Sequence, residues 1–88
     1  MLEEIKKIQG INNTEFDTII EGYINSCKID LKVLGISEDL IKKSDPLINT
    51  AIITYVLSFL DVANSQMYSE SYSLQKDVLR HLSEYTGR

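Results

Sequence analysis

Residues 45–63 read DPLINTAIITYVLSFLDVA, an apolar run with few interruptions. Asp45 can accept hydrogen bonds from the first free backbone N–H groups of a helix, and Pro46 has the φ angle that a first helical position requires. The other faces are apolar, so residues 46–63 are predicted to form a central core helix that other elements or neighbouring subunits enclose. The polar positions recur at steps of four, four and three and share one narrow stripe: Thr50, Thr54, Ser58 and Asp61.

This run is not expected to cross a membrane. A spanning helix needs about 20 predominantly apolar residues, whereas here a polar residue recurs in every turn and the run reaches Asp61. The N-terminal residues, MLEEIKK, are charged from the start and no apolar segment follows them, so no secretory signal is predicted. We therefore expect a soluble protein that is made in a cytoplasm and has no membrane partner.

The composition predicts one small folded domain over residues 1–88. Hydrophobic residues make up 43% of the chain and charged residues 25%, which is ordinary for a globular domain. The net charge of −4 at pH 7 argues against a general nucleic-acid binder, because contacts with phosphates need clustered Lys and Arg.

Apolar spacing predicts two helices before the core helix. The first is short and ends at Gly10, a residue suited to a left-handed C-terminal cap. The second is long, with Thr14 as its N-cap, Gly35 at its end and Ile36 folding back onto it. Its apolar stripe keeps helical spacing over about five turns: Phe16, Ile20, Tyr23, Ile24, Cys27, Leu31 and Leu34.

The chain after the core helix is predicted to hold a loop and one more helix. Residues 64–72 have no apolar periodicity and are predicted to form the loop, or a loop with a frayed helix end, and the last helix is predicted from about Ser73 to Tyr85. With a short turn at residues 38–43, the predicted fold is all-α: a small bundle of two long helices and a C-terminal helix plus two short helices. The stripe predicted to face the core comprises Leu74, Val78, His81 or Leu82, and Tyr85, with Leu79 beside it.

No catalytic, cofactor-binding or metal site is predicted. His81 is the only histidine, and no second histidine or paired Glu lies at metal-ligand spacing from it. Cys27 is the only cysteine and belongs to an apolar stripe, where a free cysteine usually behaves as a small hydrophobic residue. The four glycines are isolated, so no phosphate-binding loop is present. We do not expect an enzyme.

Aromatic residues outside the core predict a role in binding or assembly. Tyr55 and Phe59 are predicted core residues, and Phe59→Ala is predicted to cost roughly 3–5 kcal/mol. Tyr68, Tyr72 and Tyr85 are predicted to lie at or beyond the core edge, and tyrosine is enriched in protein interfaces. An interpretation of equal weight is that these three tyrosines only cover the rim of the core.

The order of features is distinctive over nearly the whole chain. It runs from LEEIKKI (residues 2–8) and TEFD (14–17) to DPLI (45–48), then AI and YV within the core helix, and finally YSL (72–74) with a VLxxL helix. This order resembles the small head–tail connector proteins of tailed bacteriophages and prophages, which are also called adaptor or head-completion proteins.

The resemblance implies a structural protein of the virion neck, made in the cytoplasm of the bacterial host. It implies a homo-oligomeric ring, commonly of twelve copies, that joins the portal protein after DNA packaging and extends the DNA channel. DNA is expected to pass through without specific binding, and the ring presents a surface for the next neck or tail-completion protein. The residues predicted to contact neighbours or the portal are Tyr68, Tyr72, Tyr85 and Arg88.

Two alternative functions stay open. A DNA-binding regulatory module, such as a helix-turn-helix variant, needs a recognition helix rich in Arg, Lys, Asn or Gln, and the last helix offers only Gln75, Lys76 and Arg80. A helical adaptor for some other protein partner fits the same composition. The genes beside this one would separate that alternative from a phage connector.

Overall fold

The computed structural model describes residues 1–87 of the chain and is all-α, as predicted. No strand occurs among these residues. Three helices are long, whereas two long helices and a shorter C-terminal one were predicted. The elements in order are α1 (Leu2–Gln9), α2 (Asp17–Leu34), α3 (Glu38–Lys42), α4 (Pro46–Leu60), a 3-10 turn (Val62–Asn64), α5 (Ser65–His81) and α6 (Ser83–Thr86).

The central helix α4 begins where the sequence predicts and ends three residues earlier. The Asp45 carboxylate accepts hydrogen bonds from the backbone N–H groups of Leu47 (3.1 Å) and Ile48 (3.3 Å), which confirms the predicted cap. Asp61 leaves the helical conformation with φ −100° and ψ 87°. Its carboxylate accepts a hydrogen bond from the backbone N–H of Asn64 (3.3 Å), so the chain continues as a 3-10 turn instead of extending α4.

The hydrophobic core surrounds α4, which contacts α1, α2, α3 and α5. Its residues Ile48, Ala51, Ile52 and Val56 are completely buried. The prediction of a central core helix is therefore confirmed. Completely or almost completely buried residues of the surrounding helices face it: Ile5, Ile20, Cys27, Leu31 and Leu79.

The assignment of Phe59 to the core is wrong, because its side chain is 49% exposed. It lies in the last turn of α4, where its ring stacks on Tyr23 of α2 with 4.6 Å between ring centroids. The Tyr55 ring meets it edge-on at 5.1 Å. Because half of Phe59 remains in water, the expected cost of Phe59→Ala falls from the predicted 3–5 kcal/mol to about 1–2 kcal/mol.

The helix α2 starts later than predicted and ends as predicted. Thr14 is not its N-cap, because the Asn13 side chain accepts a hydrogen bond from the backbone N–H of Glu15 (3.0 Å) and holds a turn ahead of the helix. At the other end Gly35 has φ 103°, a left-handed conformation that glycine adopts without strain. The N–H of the following residue, Ile36, donates to the Leu31 carbonyl (3.0 Å), and its side chain is buried.

The short helix α1 is fixed to the start of α2 by one apolar and one ionic contact. Ile5 is completely buried, and Lys6, only 7% exposed, places its Nζ 2.9 Å from the Asp17 carboxylate. Gly10 ends α1 in the predicted left-handed conformation, with φ 69°. A helix of eight residues is marginal alone in water, so these contacts hold α1 in place.

The loop predicted at residues 64–72 is wrong, because α5 already begins at Ser65. Of the four side chains of α5 that face inward, those of Tyr68, Tyr72 and Gln75 end in a polar group, so the sequence shows no apolar periodicity there. The prediction that Leu74 and Val78 face the core is also wrong: they are 69% and 57% exposed. His81 is exposed as well, whereas Leu79 and Tyr85 are buried as predicted. The true inward stripe is Tyr68, Tyr72, Gln75 and Leu79.

No single helix among residues 1–87 has the length and apolar content needed to cross a membrane. The segments Pro46–Leu60 and Val62–His81 meet this requirement of length and apolar content only as a pair, and the chain bends by 111° between them.

Candidate interaction surfaces

The two residues most able to carry chemistry are both engaged within the fold. Cys27 is completely buried and its thiol donates to the Tyr72 hydroxyl at 3.4 Å. Burial raises the pKa of this thiol to about 12, so the reactive thiolate is absent at neutral pH. His81 is exposed, with Nδ1 2.7 Å from the Asp77 carbonyl oxygen. Among residues 1–87 no cluster of three or more His, Cys, Asp or Glu side chains could hold a metal ion.

A polar network joins α2 to α5 through the buried Tyr72 side chain. The Tyr72 hydroxyl donates to the Asp30 carboxylate (2.7 Å), which also lies 3.2 Å from the Lys76 ammonium. The ammonium sits 4.9 Å from the centre of the Tyr72 ring. Burial, followed by the hydrogen bonds with Cys27 and Asp30, raises the pKa of the Tyr72 hydroxyl well above its usual range. The network therefore keeps Tyr72 as a neutral donor and fixes how α5 sits against α2.

The predicted contact residues do not form one exposed group. The prediction that they lie at or outside the core edge is wrong for Tyr72 and Tyr85, which are 7% and 8% exposed. Tyr72 is held by the network above, and the Tyr85 hydroxyl donates to the Asp45 carboxylate at 3.3 Å. Tyr68 is partly exposed, and Arg88 lies outside the described residues. The role of these residues in contacts with other subunits stays a prediction.

One side of α2 is apolar and faces solvent for about four turns. Ile19, Ile29 and Val33 are 52%, 62% and 82% exposed, and Gly22 and Ser26 lie between them on the same side. A Cβ atom placed on Gly22 would meet nothing within 4 Å, so no contact inside the subunit requires glycine there. We call these five residues the α2 face. Its exposed apolar side chains and lack of charge are typical of a protein contact surface.

A second apolar surface is a groove of about 210 Å³ between α4 and α5, which we call the α4–α5 groove. Its polar groups are turned into the protein: the Thr50 hydroxyl donates to the Pro46 carbonyl (2.9 Å), and the Gln75 amide donates to the Thr54 hydroxyl (3.2 Å). What remains toward solvent is aliphatic. The groove is lined by Leu47, Thr50, Leu74, Gln75, Val78 and Leu79.

The α2 face and the α4–α5 groove lie on different flanks of the subunit. Lys76 reaches from α5 to Asp30 of α2. Leu74 lies two residues before Lys76, and Val78 lies two residues after it. Two residues correspond to a rotation of about 200° around the helix, so both side chains point away from α2. The α2 face, in turn, lies opposite the buried stripe of its own helix. Covering one surface therefore leaves the other free for a second contact.

Sequence reasoning missed both surfaces. On α5 a competing stripe was present, because apolar residues also recur at steps of seven and four through Met67, Leu74 and Val78. Periodicity alone does not tell which of two stripes faces the core. On α2 the residues Ile29 and Val33 fall outside the predicted core stripe, four positions apart, and that spacing was the available indication of a second apolar side.

Comparison with known proteins gives one match. The model of a family described as phage connector protein matches residues 1–84, almost the whole chain. Neither the curated proteins nor the solved structures contain a match to the chain.

Proposed function

The chain belongs to the phage connector protein family, and from this premise we propose that it forms a ring that joins the portal to the neck or tail-completion protein and extends the DNA channel. The chain is thus a structural component of the virion rather than an enzyme. We propose twelve copies in the ring, synthesis in the cytoplasm of the bacterial host, and a final location in the virion neck.

The observation that carries the proposal is the pair of apolar surfaces on different flanks of one small subunit. A subunit that contacts a neighbour on each side through unlike surfaces makes heterologous contacts, and such contacts close into a ring when the rotation between copies permits it. Exposed apolar groups such as Val33 and Leu74, at 82% and 69% exposure, are costly to leave in water and are covered in such an assembly.

The charge of the subunit suits a channel through which DNA slides. With a net charge of −4, a ring of such subunits repels the phosphate backbone instead of holding it. Basic side chains are also engaged inside the fold: Lys6 pairs with Asp17 and Lys76 with Asp30. We therefore expect DNA to pass without specific binding.

The same contacts weigh against the DNA-binding alternative. A recognition helix needs free polar side chains toward the groove of the duplex, yet on α5 the Gln75 amide donates to Thr54 and the Lys76 ammonium pairs with Asp30. A duplex-binding assay at low salt tests this directly. Binding by the isolated protein with a steep salt dependence would favour the regulatory module over the connector.

Of the predicted contact residues, Tyr68 is the one we place at the portal or neck contact within the described part of the chain. It is partly exposed near the bend between α4 and α5, where Val62 is 85% exposed. The burial of Tyr72 and Tyr85 favours a structural role for both. Arg88 remains a proposed contact of the C-terminal end.

The test is electron microscopy of the purified protein mixed with the portal protein of the same phage or prophage. Rings stacked on one end of the portal are expected, and a Tyr68→Ala variant should bind the portal about tenfold more weakly. Gln66→Ala, an exposed position of the same helix, is the matched control and should bind normally. Failure to associate with the portal across a range of salt and protein concentrations would contradict the proposed function.

A further inference from the structure

We infer that the α2 face of one copy packs antiparallel into the α4–α5 groove of the next copy, so that one heterologous contact repeats around the ring. The inference rests on the proposed function and adds to it the identity of the two surfaces that meet. The occupant of each apolar surface is thus a second copy of this chain. The argument stands on shape, charge and stoichiometry, in that order.

The shapes of the two surfaces are complementary. The α2 face is low in its middle, at Gly22 and Ser26, and higher toward its ends, at Ile19 and Val33. The rim of the groove carries the protruding side chain of Leu74. Helices pack by placing such a protruding side chain into the gap between ridges of the partner, and small residues in that gap let the two axes come close. A neighbour's Leu74 over Gly22 would also explain a glycine that weakens a helix interior and has no internal contact.

The charges around the surfaces select the antiparallel direction. The α2 helix and the turn before it carry Glu15 and Glu21 toward the N-terminal end and Lys32 toward the C-terminal end. On α5, Glu70 lies one turn before Leu74 and on the same side of the helix. Antiparallel packing brings Lys32 of one copy toward Glu70 of the next, whereas parallel packing brings Glu70 toward Glu21. Opposite macrodipoles of the two helices favour the same direction.

The charged residues at these ends are free to change partner. Lys32 pairs with Glu38 at 3.4 Å, with both side chains more than half exposed, and the exposed Glu70 carboxylate accepts a hydrogen bond from the Gln66 amide (3.2 Å). Exposed pairs of this kind contribute little to the stability of the subunit. Exchanging them for contacts with a neighbour therefore costs little.

Each copy has two such surfaces, on different flanks, and can therefore contact two neighbours. The α2 face runs over 15 residues, from Ile19 to Val33, or about 21 Å at 1.5 Å per step, and the stripe from Met67 to Val78 on α5 spans about 16 Å. The two lengths match within one turn. Because Leu74 and Val78 point away from α2, one copy can present its α2 face to one neighbour and its groove to the other.

Two single substitutions and their mixture test the pairing. Ile29→Asp spoils the α2 face and Leu74→Asp spoils the groove, and both positions are exposed in the subunit, so circular dichroism should show intact folding. Each variant alone should self-associate at least about 100-fold more weakly than the parent protein in analytical ultracentrifugation, because a charge would be buried without a partner. An equimolar mixture retains one intact pairing, the α2 face of the Leu74→Asp copy with the groove of the Ile29→Asp copy. It should therefore form dimers and nothing larger.

Ile8→Asp is the matched control, because Ile8 is 55% exposed on α1 and belongs to neither surface. It should assemble like the parent protein.

Charge reversal is an independent test. Lys32→Glu and Glu70→Lys should each weaken assembly about two- to fivefold, and the double variant should restore it.

The same variants separate this inference from the proposed function when the portal is present. Single copies of Ile29→Asp and Leu74→Asp bound to the portal without a closed ring would support both. Closed rings formed by both variants on the portal would overturn the pairing and leave the connector function intact. Loss of assembly in Ile29→Asp alone would indicate a symmetric contact between two α2 faces and would overturn the pairing. A parent protein that neither self-associates up to millimolar concentration nor forms rings on the portal would overturn both.

Discussion

Replacing Tyr72 with phenylalanine tests the network that fixes α5 against α2. The ring is 7% exposed and stays buried in the variant, so the change removes only the hydroxyl, which donates to Asp30 at 2.7 Å and accepts from Cys27 at 3.4 Å. A hydrogen bond to a charged group contributes about 1.5–3 kcal/mol. The Asp30 side chain is 41% exposed and keeps Lys76 at 3.2 Å, so water can replace the lost donor. We therefore expect the lower end, about 1.5 kcal/mol.

Urea unfolding followed by circular dichroism measures this loss. With an m value of about 1–3 kcal/mol per M, the midpoint should fall by about 0.5–1.5 M, and the melting temperature by about 6–12 °C for a chain of this size. The matched control is Tyr68→Phe, which alters a partly exposed tyrosine on the same helix and should change the free energy of unfolding by less than about 0.5 kcal/mol. If Tyr72→Phe were as stable as the parent protein, the network would not hold α5 in place.

Three further predictions concern the core helix, its cap and the buried thiol. Ile48 is completely buried, so Ile48→Ala should lower the free energy of unfolding by about 2–5 kcal/mol. Phe59→Ala should lower it by only about 1–2 kcal/mol. If urea titrations gave the opposite ranking, the burial assigned to residues along α4 would be wrong. Asp45→Ala should cost about 1–2 kcal/mol in thermal unfolding, because two backbone N–H groups and the Tyr85 hydroxyl lose their acceptor. Asp45→Asn keeps an acceptor oxygen for the cap and should cost much less; equal losses in the two variants would point to the charge or the Tyr85 contact instead of the cap. Between pH 9 and 10 the Cys27 thiol should contribute a fall of about 1 kcal/mol in the free energy of unfolding, because it ionises from pH 9 upward in the unfolded chain while burial raises its pKa to about 12 in the folded one. In Cys27→Ala the fall should be smaller by about that amount, which leaves the part from Tyr72, whose pKa is also raised; a fall of the same size as in the parent protein would assign all of it to other groups.

The parts of the fold that depend on residues close to one another in the sequence could be predicted from it. The Asp45 cap followed by Pro46 requires only a carboxylate and a fixed φ angle, and it is present as predicted. Gly10 and Gly35 end their helices in the left-handed conformation that glycine favours. The buried run along α4 followed from its nearly continuous apolar character. These features depend on residues within a few positions of one another, and the pattern of apolar and capping residues in a sequence reveals such short-range features.

The start and orientation of α5 could not be predicted in this way, because they depend on distant residues. Tyr72 and Gln75 become inward-facing positions only through hydrogen bonds to Asp30, 42 residues away, and to Thr54, 21 residues away. A polar side chain with a remote partner looks like a surface residue in the sequence. For the same reason Leu74 and Val78, with no polar partner, looked like core residues although they are exposed.

Electron cryo-microscopy of the neck in the intact virion tests the central claim most directly. The account predicts a closed ring of this chain between the portal and the tail-completion protein, with α4 enclosed in every subunit and the α2 face of each copy against the α4–α5 groove of the next. A neck without this protein, or copies in which the Ile48–Val56 part of α4 faces water, would contradict it.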